Sequence, residues 1–74
     1  MNSTAAQDVG VSMPDDITSA RAKLVYYYLA TNDGATVNEL HAELDISKGT
    51  VLSITGTLRD RGHLERTDGR YVAV

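Results

Sequence analysis

Apolar residues recur with a helical period in three successive segments of the chain. The first segment runs from about Thr18 to Asn32 and ends in an Asn-Asp-Gly sequence typical of a helix stop. Its predicted apolar face consists of Ala22, Leu24, Val25, Tyr28 and Leu29. Three residues are each suitable N-caps for it, and the pattern does not choose among Asp15, Asp16 and Thr18. We expect this segment to be the first helix.

Three consecutive tyrosines, Tyr26 to Tyr28, lie within this helix. They cannot all face a core, because successive residues of a helix point in directions about 100° apart. Tyr26 and Tyr27 fall partly off the predicted apolar face. They are either ordinary boundary residues or a contact for a second copy or another protein, since tyrosine suits half-wet interfaces.

The second segment is short, from about Val37 to Leu44, and directs Val37, Leu40 and Leu44 inward. It opens on Thr-Val-Asn-Glu, which has the spacing of a capping box. In that motif the Thr36 hydroxyl accepts a hydrogen bond from the Glu39 amide, and the Glu39 side chain accepts one from the Thr36 amide. The residues just before it, 35 to 37, form either a short strand or an extended entry.

The third segment, residues 47 to 61, is predicted to be a helix capped by Ser47, whose hydroxyl can accept from the amide of Gly49 or Thr50. Its apolar positions at helical spacing are Val51, Ile54, Thr55 and Leu58. Gly62 is placed for the left-handed residue that ends many helices.

Only residues 45 to 47 separate the second and third helices. A connection this short forces the two helices to cross steeply, with Ile46 between them, which is helix-turn-helix geometry. Asp45 is expected to adopt a left-handed backbone, which aspartate tolerates better than most residues.

After Gly62 the period changes from helical to alternating. Residues 63 to 67 and 70 to 74 flank an Asp-Gly pair, a strong signal for a two-residue hairpin turn. If Thr67 pairs with Arg70, the other pairs are Arg66 with Tyr71, Glu65 with Val72 and Leu64 with Ala73. This register places Leu64, Arg66, Tyr71 and Ala73 on one face, which closes over the helices with the Arg66 stem on the Tyr71 ring.

Composition limits both the size and the chemistry of the protein. Its 74 residues make one small domain, and four tyrosines are the only aromatic residues. We therefore expect an aliphatic core that dimerisation would reinforce. Without cysteine, and with two histidines outside any metal-ligand spacing, the chain is predicted to hold no metal. It also carries no nucleophile elbow, phosphate-binding glycine loop or paired catalytic motif, so neither a cofactor nor an enzymatic activity is expected.

The sequence predicts a flexible acidic N-terminal tail at residues 1 to 16 and a single folded domain at residues 17 to 74. The longest apolar run, residues 24 to 30, is far shorter than the roughly 20 residues that span a bilayer. No secretory signal pattern precedes it. A cytoplasmic location is therefore expected.

The charged residues are unevenly distributed. The net charge is −3, which argues against a nonspecific nucleic-acid binder. Residues 1 to 17 carry −3 and residues 18 to 47 carry −2, whereas residues 48 to 74, with five basic and three acidic side chains, carry +2. All of the net positive charge therefore follows Ser47.

The order of these elements is similar to that of a winged helix-turn-helix. That fold is α+β and mainly α, with three helices plus a C-terminal β-hairpin wing. The segments that carry the similarity are Ala-Thr-Val-Asn-Glu-Leu at 35 to 40, Ile-Ser-Lys-Gly-Thr-Val at 46 to 51 and Leu-Arg-Asp-Arg-Gly-His-Leu-Glu-Arg at 58 to 66. They resemble MarR-like and archaeal TrmB-like transcriptional regulators.

The resemblance implies a transcriptional regulator that binds double-stranded DNA sequence-specifically. Helix 47–61 would enter the major groove, and hairpin 63–74 would act as a wing on the adjacent backbone or minor groove. The family's DNA-contacting positions correspond here to Ser47, Lys48, Gly49, Thr50, Ser53 and Thr57, with Arg66 and Arg70 on the wing. Two departures stand out: Asp45 replaces a frequent glycine, and Gly56 with Thr57 stands where basic residues are common.

One protomer offers few cations to phosphate, so we expect a homodimer to supply enough contacts. The cations of one protomer are Lys48, Arg66, Arg70 and either Arg59 or Arg61. The acidic balance also fits a rival function, a winged-helix protein–protein interaction module without DNA binding. In that case Lys48, Arg66 and Arg70 are ordinary solvated charges. A third class, binders of single strands or RNA, normally needs an exposed aromatic platform, which the wing lacks.

Overall fold

Three helices are followed by a β-hairpin in the computed structural model, which describes residues 12 to 74. The elements are α1 (Ala20–Thr31), β1 (Ala35–Thr36), α2 (Val37–Leu44), α3 (Lys48–Asp60), β2 (Leu64–Thr67) and β3 (Arg70–Ala73). The strands form one antiparallel sheet in the order β1-β3-β2. This architecture confirms the predicted winged helix-turn-helix fold. Most of the predicted tail, residues 1 to 11, lies outside the described residues.

Helix α1 buries most of its predicted apolar face, since Val25 and Leu29 are buried and Ala22 and Tyr28 pack against the core, but its cap and two of its side chains differ from the prediction. Ser19 is its N-cap and accepts a hydrogen bond from the Ala22 amide at 3.3 Å, so the three predicted caps are wrong. Tyr26 is buried, whereas Leu24 is 44% exposed, which reverses the prediction for both. The reason is a distant partner, because the Tyr26 ring packs edge-on against the His63 ring at a centroid distance of 6.4 Å.

The second helix and the turn after it follow the prediction closely. Thr36 Oγ1 accepts from the Glu39 amide at 3.1 Å, and Glu39 Oε1 accepts from the Thr36 amide at 2.9 Å, which completes the capping box. Asp45 has a left-handed backbone with φ of 56°. Ile46 beside it is buried. The helix-turn-helix geometry is therefore confirmed.

Helix α3 begins and ends as its sequence predicts. The Ser47 hydroxyl accepts from the Thr50 amide at 3.2 Å. Its inward face consists of Val51, Thr55 and Leu58, with Ile54 half-buried. The buried Thr55 hydroxyl donates to the Val51 carbonyl at 2.9 Å, so this polar group is satisfied inside the core. Gly62 follows with φ of +82°.

The hairpin has the predicted register. Its four pairs are Leu64 with Ala73, Glu65 with Val72, Arg66 with Tyr71 and Thr67 with Arg70. The Arg66 guanidinium carbon lies 5.9 Å from the centre of the Tyr71 ring, which confirms that contact. Of the two alternatives for residues 35 to 37, the short strand is correct, because Ala35 pairs with Tyr71 on the edge of β3 opposite to β2.

The core lies between the three helices and the inner face of the hairpin. Its buried side chains are Ile17, Val25, Tyr26, Leu29, Ala35, Leu40, Ile46, Val51, Leu58, Leu64 and Tyr71. The core is mainly aliphatic as predicted, but two tyrosines belong to it. Within residues 12 to 74, no helix is long and apolar enough to cross a membrane.

A polar clamp attaches the segment before α1 to the junction of α3 and the hairpin. The His63 Nε2–H donates to Asp16 Oδ1 at 2.8 Å. Arg61 Nη1 donates to the Asp16 carbonyl at 2.8 Å and lies 3.5 Å from Asp16 Oδ2. Met13 also packs against the core. Part of the stretch predicted as tail therefore contacts the domain.

The clamp predicts an acid-sensitive contribution to stability. The hydrogen bond from His63 lowers the pKa of the Asp16 carboxyl below its ordinary value of 3.8, against a smaller opposing effect of desolvation. A lowered folded-state pKa stabilises the fold at pH values above 3.8, and this contribution disappears as the pH falls through the folded-state pKa. Asp16→Asn should therefore lower the free energy of unfolding at neutral pH, and its difference from wild type should vanish in acid.

Urea unfolding at a series of pH values measures this difference. Asp15→Asn is the matched control, since Asp15 is an exposed neighbour in the same turn, and it should follow wild type throughout. A difference between wild type and Asp16→Asn that does not change with pH would contradict the role of the charge.

Candidate nucleic-acid interface

The outer face of α3 is uncovered by the rest of the domain. Its inward positions occupy one side of the helix, so residues at intermediate spacings point outward. Exposed residues on this side include Lys48, Gly49, Leu52, Ser53, Thr57, Arg59 and Asp60, with Gly56 half-buried. This surface is polar and mostly small, and it carries both charge signs.

The amino end of α3 brings four of the predicted site residues together. Ser47 and Thr50 hydrogen-bond each other, since Ser47 Oγ donates to Thr50 Oγ1 at 2.9 Å in addition to capping its amide. The Ser47 hydroxyl therefore caps the helix, and the Thr50 hydroxyl is bound to it. Lys48 and Gly49 are exposed between them, and a Cβ added at Gly49 would meet nothing within 4 Å. A close approach of another molecule is sterically possible here.

Ser53 and Thr57 occupy the flank of α3 that faces the start of α1. Together with residues 16 to 19 they border a shallow groove of about 210 Å³. Lys48, Leu52 and Arg59 follow the opposite flank, as expected from 3.6 residues per turn. The predicted site residues of α3 therefore spread across its outer face instead of forming one line.

The two predicted wing residues are separated by the hairpin. Arg66 lies on the side of β2 that borders the end of α3, in a shallow depression shared with Arg59. Arg70 lies on the other side, where its Nη2 donates to the Gly34 carbonyl at 2.9 Å and its Nη1 lies 3.5 Å from Glu39 Oε1. The alternation of strand side chains explains the separation.

These contacts reduce the number of cations available to a ligand. Arg61 is bound to Asp16, and Arg70 is bound to Glu39 and the Gly34 carbonyl. Among the residues that the structure describes, Lys48, Arg59 and Arg66 form no ion pair. The positive charge of the C-terminal half is therefore concentrated on three free side chains.

The predicted set lacks Leu52 on this surface and leaves open whether Arg59 or Arg61 contributes a cation. Leu52 is 52% exposed on α3, although leucine is usually an inward residue. Its position is out of phase with the buried set, and that phase was the available signal. Arg59 is exposed beside the hairpin. The pattern alone did not distinguish it from Arg61, which is engaged elsewhere.

A family model for the IclR helix-turn-helix domain matches residues 25–68. The match extends from the middle of α1 to the turn of the hairpin and contains both helices of the helix-turn-helix. No curated protein and no solved structure matches the chain. The match identifies an IclR-type domain, and the MarR-like or TrmB-like resemblance is not confirmed.

The matched range covers more than half of the 74 residues. It also includes α3 and β2, which carry the three free cations. The fold, the uncovered helix and the family match agree on one coarse function, DNA-binding transcription regulation. The chain thus belongs to the IclR helix-turn-helix domain family.

Proposed function

We propose that this domain binds double-stranded DNA sequence-specifically, as a homodimer, with α3 in the major groove and the β2–β3 hairpin against the adjacent backbone. The observation that carries the proposal is the uncovered outer face of α3, with Lys48 and Gly49 at its amino end and the free Arg66 on the neighbouring strand. A regulator that reads bases needs such a protruding helix beside a phosphate-binding element.

The shape of α3 suits a major groove. Its 13 residues extend about 20 Å, and the groove is about 12 Å wide. Gly49 and Gly56 have open space where a Cβ would be, so the helix backbone can lie close to the bases. Ser53 and Thr57 offer hydroxyls to base edges, and the exposed Leu52 offers an apolar contact to a thymine methyl group.

Phosphate contacts are assigned to the free cations. Lys48 lies beside the uncapped amides of the first turn of α3, where the helix dipole also favours an anion. Arg59 and Arg66 face the backbone on the hairpin side. Arg70, predicted as a direct contact, also holds the hairpin against the start of α2, so its substitution would alter both affinity and the position of the wing.

A homodimer follows from the small number of free cations. Three phosphate contacts per protomer give only modest affinity, because neutralisation of phosphates supplies much of the binding energy. Two protomers double the contacts and read the two halves of a palindromic site. The rival function, docking on another protein, is favoured by one observation, the exposed Leu52 on the same face.

The salt dependence of DNA binding tests the proposal. After selection of a site from random duplexes, anisotropy titrations at several salt concentrations should give a slope of log K against log salt of about −3 per protomer. Lys48→Ala, Arg59→Ala and Arg66→Ala should each reduce the magnitude of the slope by about one. A variant that makes one phosphate contact fewer releases fewer counterions from the DNA when it binds, and this reduces the slope.

Lys48→Arg is the matched control, since it keeps the charge at the same position and should keep the slope. Slopes that are unchanged in all three alanine variants, or an absence of duplex binding at low salt, would refute the proposed interface. Binding of another protein that buries Leu52, without duplex binding, would establish the rival function.

A further inference from the structure

Leu52 is a large apolar side chain that lies on α3 outside the core. It is 52% exposed, although Val51 beside it is fully buried. It belongs neither to the core cluster nor to the partly buried side chains that pack against that cluster. Successive residues of a helix point about 100° apart, so Leu52 is directed to the flank of the outer face of α3. The fold therefore does not account for a leucine at this position.

The neighbours of Leu52 on the outward side of α3 have no side chains that cover it. Residues three and four apart are neighbours on a helix surface, and the outward positions at these spacings are Gly49 and Gly56. An added Cβ at either glycine would meet nothing within 4 Å. Leu52 therefore projects beside a strip of bare backbone, and a molecule that approaches this strip closely also contacts the leucine.

Two unpaired cations lie on the same flank of α3 as Leu52. Lys48 precedes it by one turn, about 6 Å along the helix axis, and Arg59 follows it by two turns, about 10 Å. Neither forms an ion pair among the described residues. Arg66 lies beside Arg59 in the depression at the end of α3. An apolar side chain is thus placed between positive charges, and such a flank fits a partner that has an apolar group close to a row of anionic groups.

The major groove of DNA presents this combination at thymine. Thymine is the one standard DNA base with a methyl group in this groove. The methyl group is on C5, on the side of the base edge nearest to the phosphates of its own strand. Leu52 has no hydrogen-bonding group, so it cannot read base donors or acceptors and gains affinity only by burying apolar surface. Ser53 and Thr57, which carry hydroxyls, are on the opposite flank of α3.

We propose that Leu52 determines specificity by contacting the 5-methyl group of a thymine in the strand whose phosphates Lys48 and Arg59 bind. The inference rests on the proposed function and deepens it, because it names the chemical group that one side chain of α3 recognises. Loss of this contact removes about one buried methyl group from the complex. The corresponding loss of affinity is roughly three- to fivefold per half-site.

Substitution of thymine by uracil in a selected duplex tests the contact. Uracil pairs with adenine as thymine does and lacks only the 5-methyl group. In anisotropy titrations with wild type, uracil at one position of each half-site should weaken binding roughly three- to fivefold per half-site. Leu52→Ala should bind the thymine duplex more weakly and should show no further loss with uracil at that position. The two changes then form a double-mutant cycle whose coupling is close to the whole effect of the methyl group.

Two variants control for changes that are unrelated to the methyl contact. Leu52→Met retains a long apolar side chain and should retain the sensitivity to uracil. Ser53→Ala changes the adjacent residue, which is on the opposite flank of α3, and should retain it as well. Leu52→Ala should keep the wild-type salt dependence, because leucine neutralises no phosphate. Since Leu52 is exposed, Leu52→Ala should also unfold at a temperature close to that of wild type.

Three results would overturn the inference. They are selected half-sites that contain no thymine, uracil substitutions that leave wild-type affinity unchanged at every thymine, and a uracil effect that is equally large in Leu52→Ala. The third result would mean that the methyl group acts through the shape or stiffness of the DNA. In each of these cases duplex binding persists, so the proposed function stands. If no duplex is bound, the proposed function fails and this inference fails with it.

Discussion

A Gly49→Glu variant is expected to fold at least as stably as wild type and to lose about 100-fold or more in affinity for duplex DNA, since opposed like charges in an interface cost several kcal/mol. Gly49 is exposed in the first turn of α3, and its Cβ position is open. Glutamate is a better helix former than glycine by roughly 0.5 kcal/mol or more. Its charge also suits the amino end of the helix dipole. In the proposed complex, however, the same carboxylate would lie close to phosphate.

Thermal unfolding and anisotropy measure the two effects separately. Gly49→Gln is the matched control, because it adds a side chain of nearly the same size without the charge and should lose considerably less affinity. A Gly49→Glu variant that still binds its selected duplex like wild type would exclude the amino end of α3 from the interface. That result would favour the protein-docking function.

A Gly34→Ala variant is expected to lose about 3 kcal/mol or more of folding free energy, as the sum of backbone strain and a steric clash. Gly34 has φ of +94°, which disfavours any side chain. An added Cβ would also lie 2.8 Å from the Tyr71 carbonyl oxygen and 3.1 Å from Val72 Cγ2. The turn after α1 packs directly on β3, so relief of the clash would displace the central strand.

Urea unfolding followed by circular dichroism measures this loss. Gly62→Ala is the matched control, since Gly62 has φ of +82° and open space around its Cβ position. Strain alone predicts a loss of about 1 to 2 kcal/mol there. Equal losses in the two variants would mean that the contact with β3 contributes nothing.

Local interactions account for the elements that the sequence predicted well. The capping box of Thr36 and Glu39 joins residues three apart, and the Asp-Gly turn sets the hairpin register from adjacent residues. Each depends on backbone geometry within a few positions, so spacing is sufficient to predict it. The buried face of α1, in contrast, is not determined locally. Leu24 and Tyr26 are both plausible core residues, and which of them is buried depends on a contact with His63, which is distant in the chain.

The candidate site was predictable in outline only. The phase of Val51, Thr55 and Leu58 defines which side of α3 is outward, and this identifies the exposed helix positions. The sequence does not predict which basic side chains remain unpaired, because this depends on contacts between residues that are distant in the chain. Arg61 reaches Asp16 across 45 positions and Arg70 reaches Gly34 across 36, and no local pattern contains either contact.

The attachment of the hairpin has a consequence for how a duplex would be read. Strand β3 is paired on both edges, with β2 and with β1, and Arg70 fixes its first residue to the turn before α2. A wing held in this way keeps a constant distance from α3 and does not swing to follow the phosphates. If that distance does not match the shape of a given duplex, the DNA has to deform. The energy needed to bend it or to compress its groove depends on its sequence. In the proposed complex, base pairs that no side chain touches therefore contribute to the choice of site.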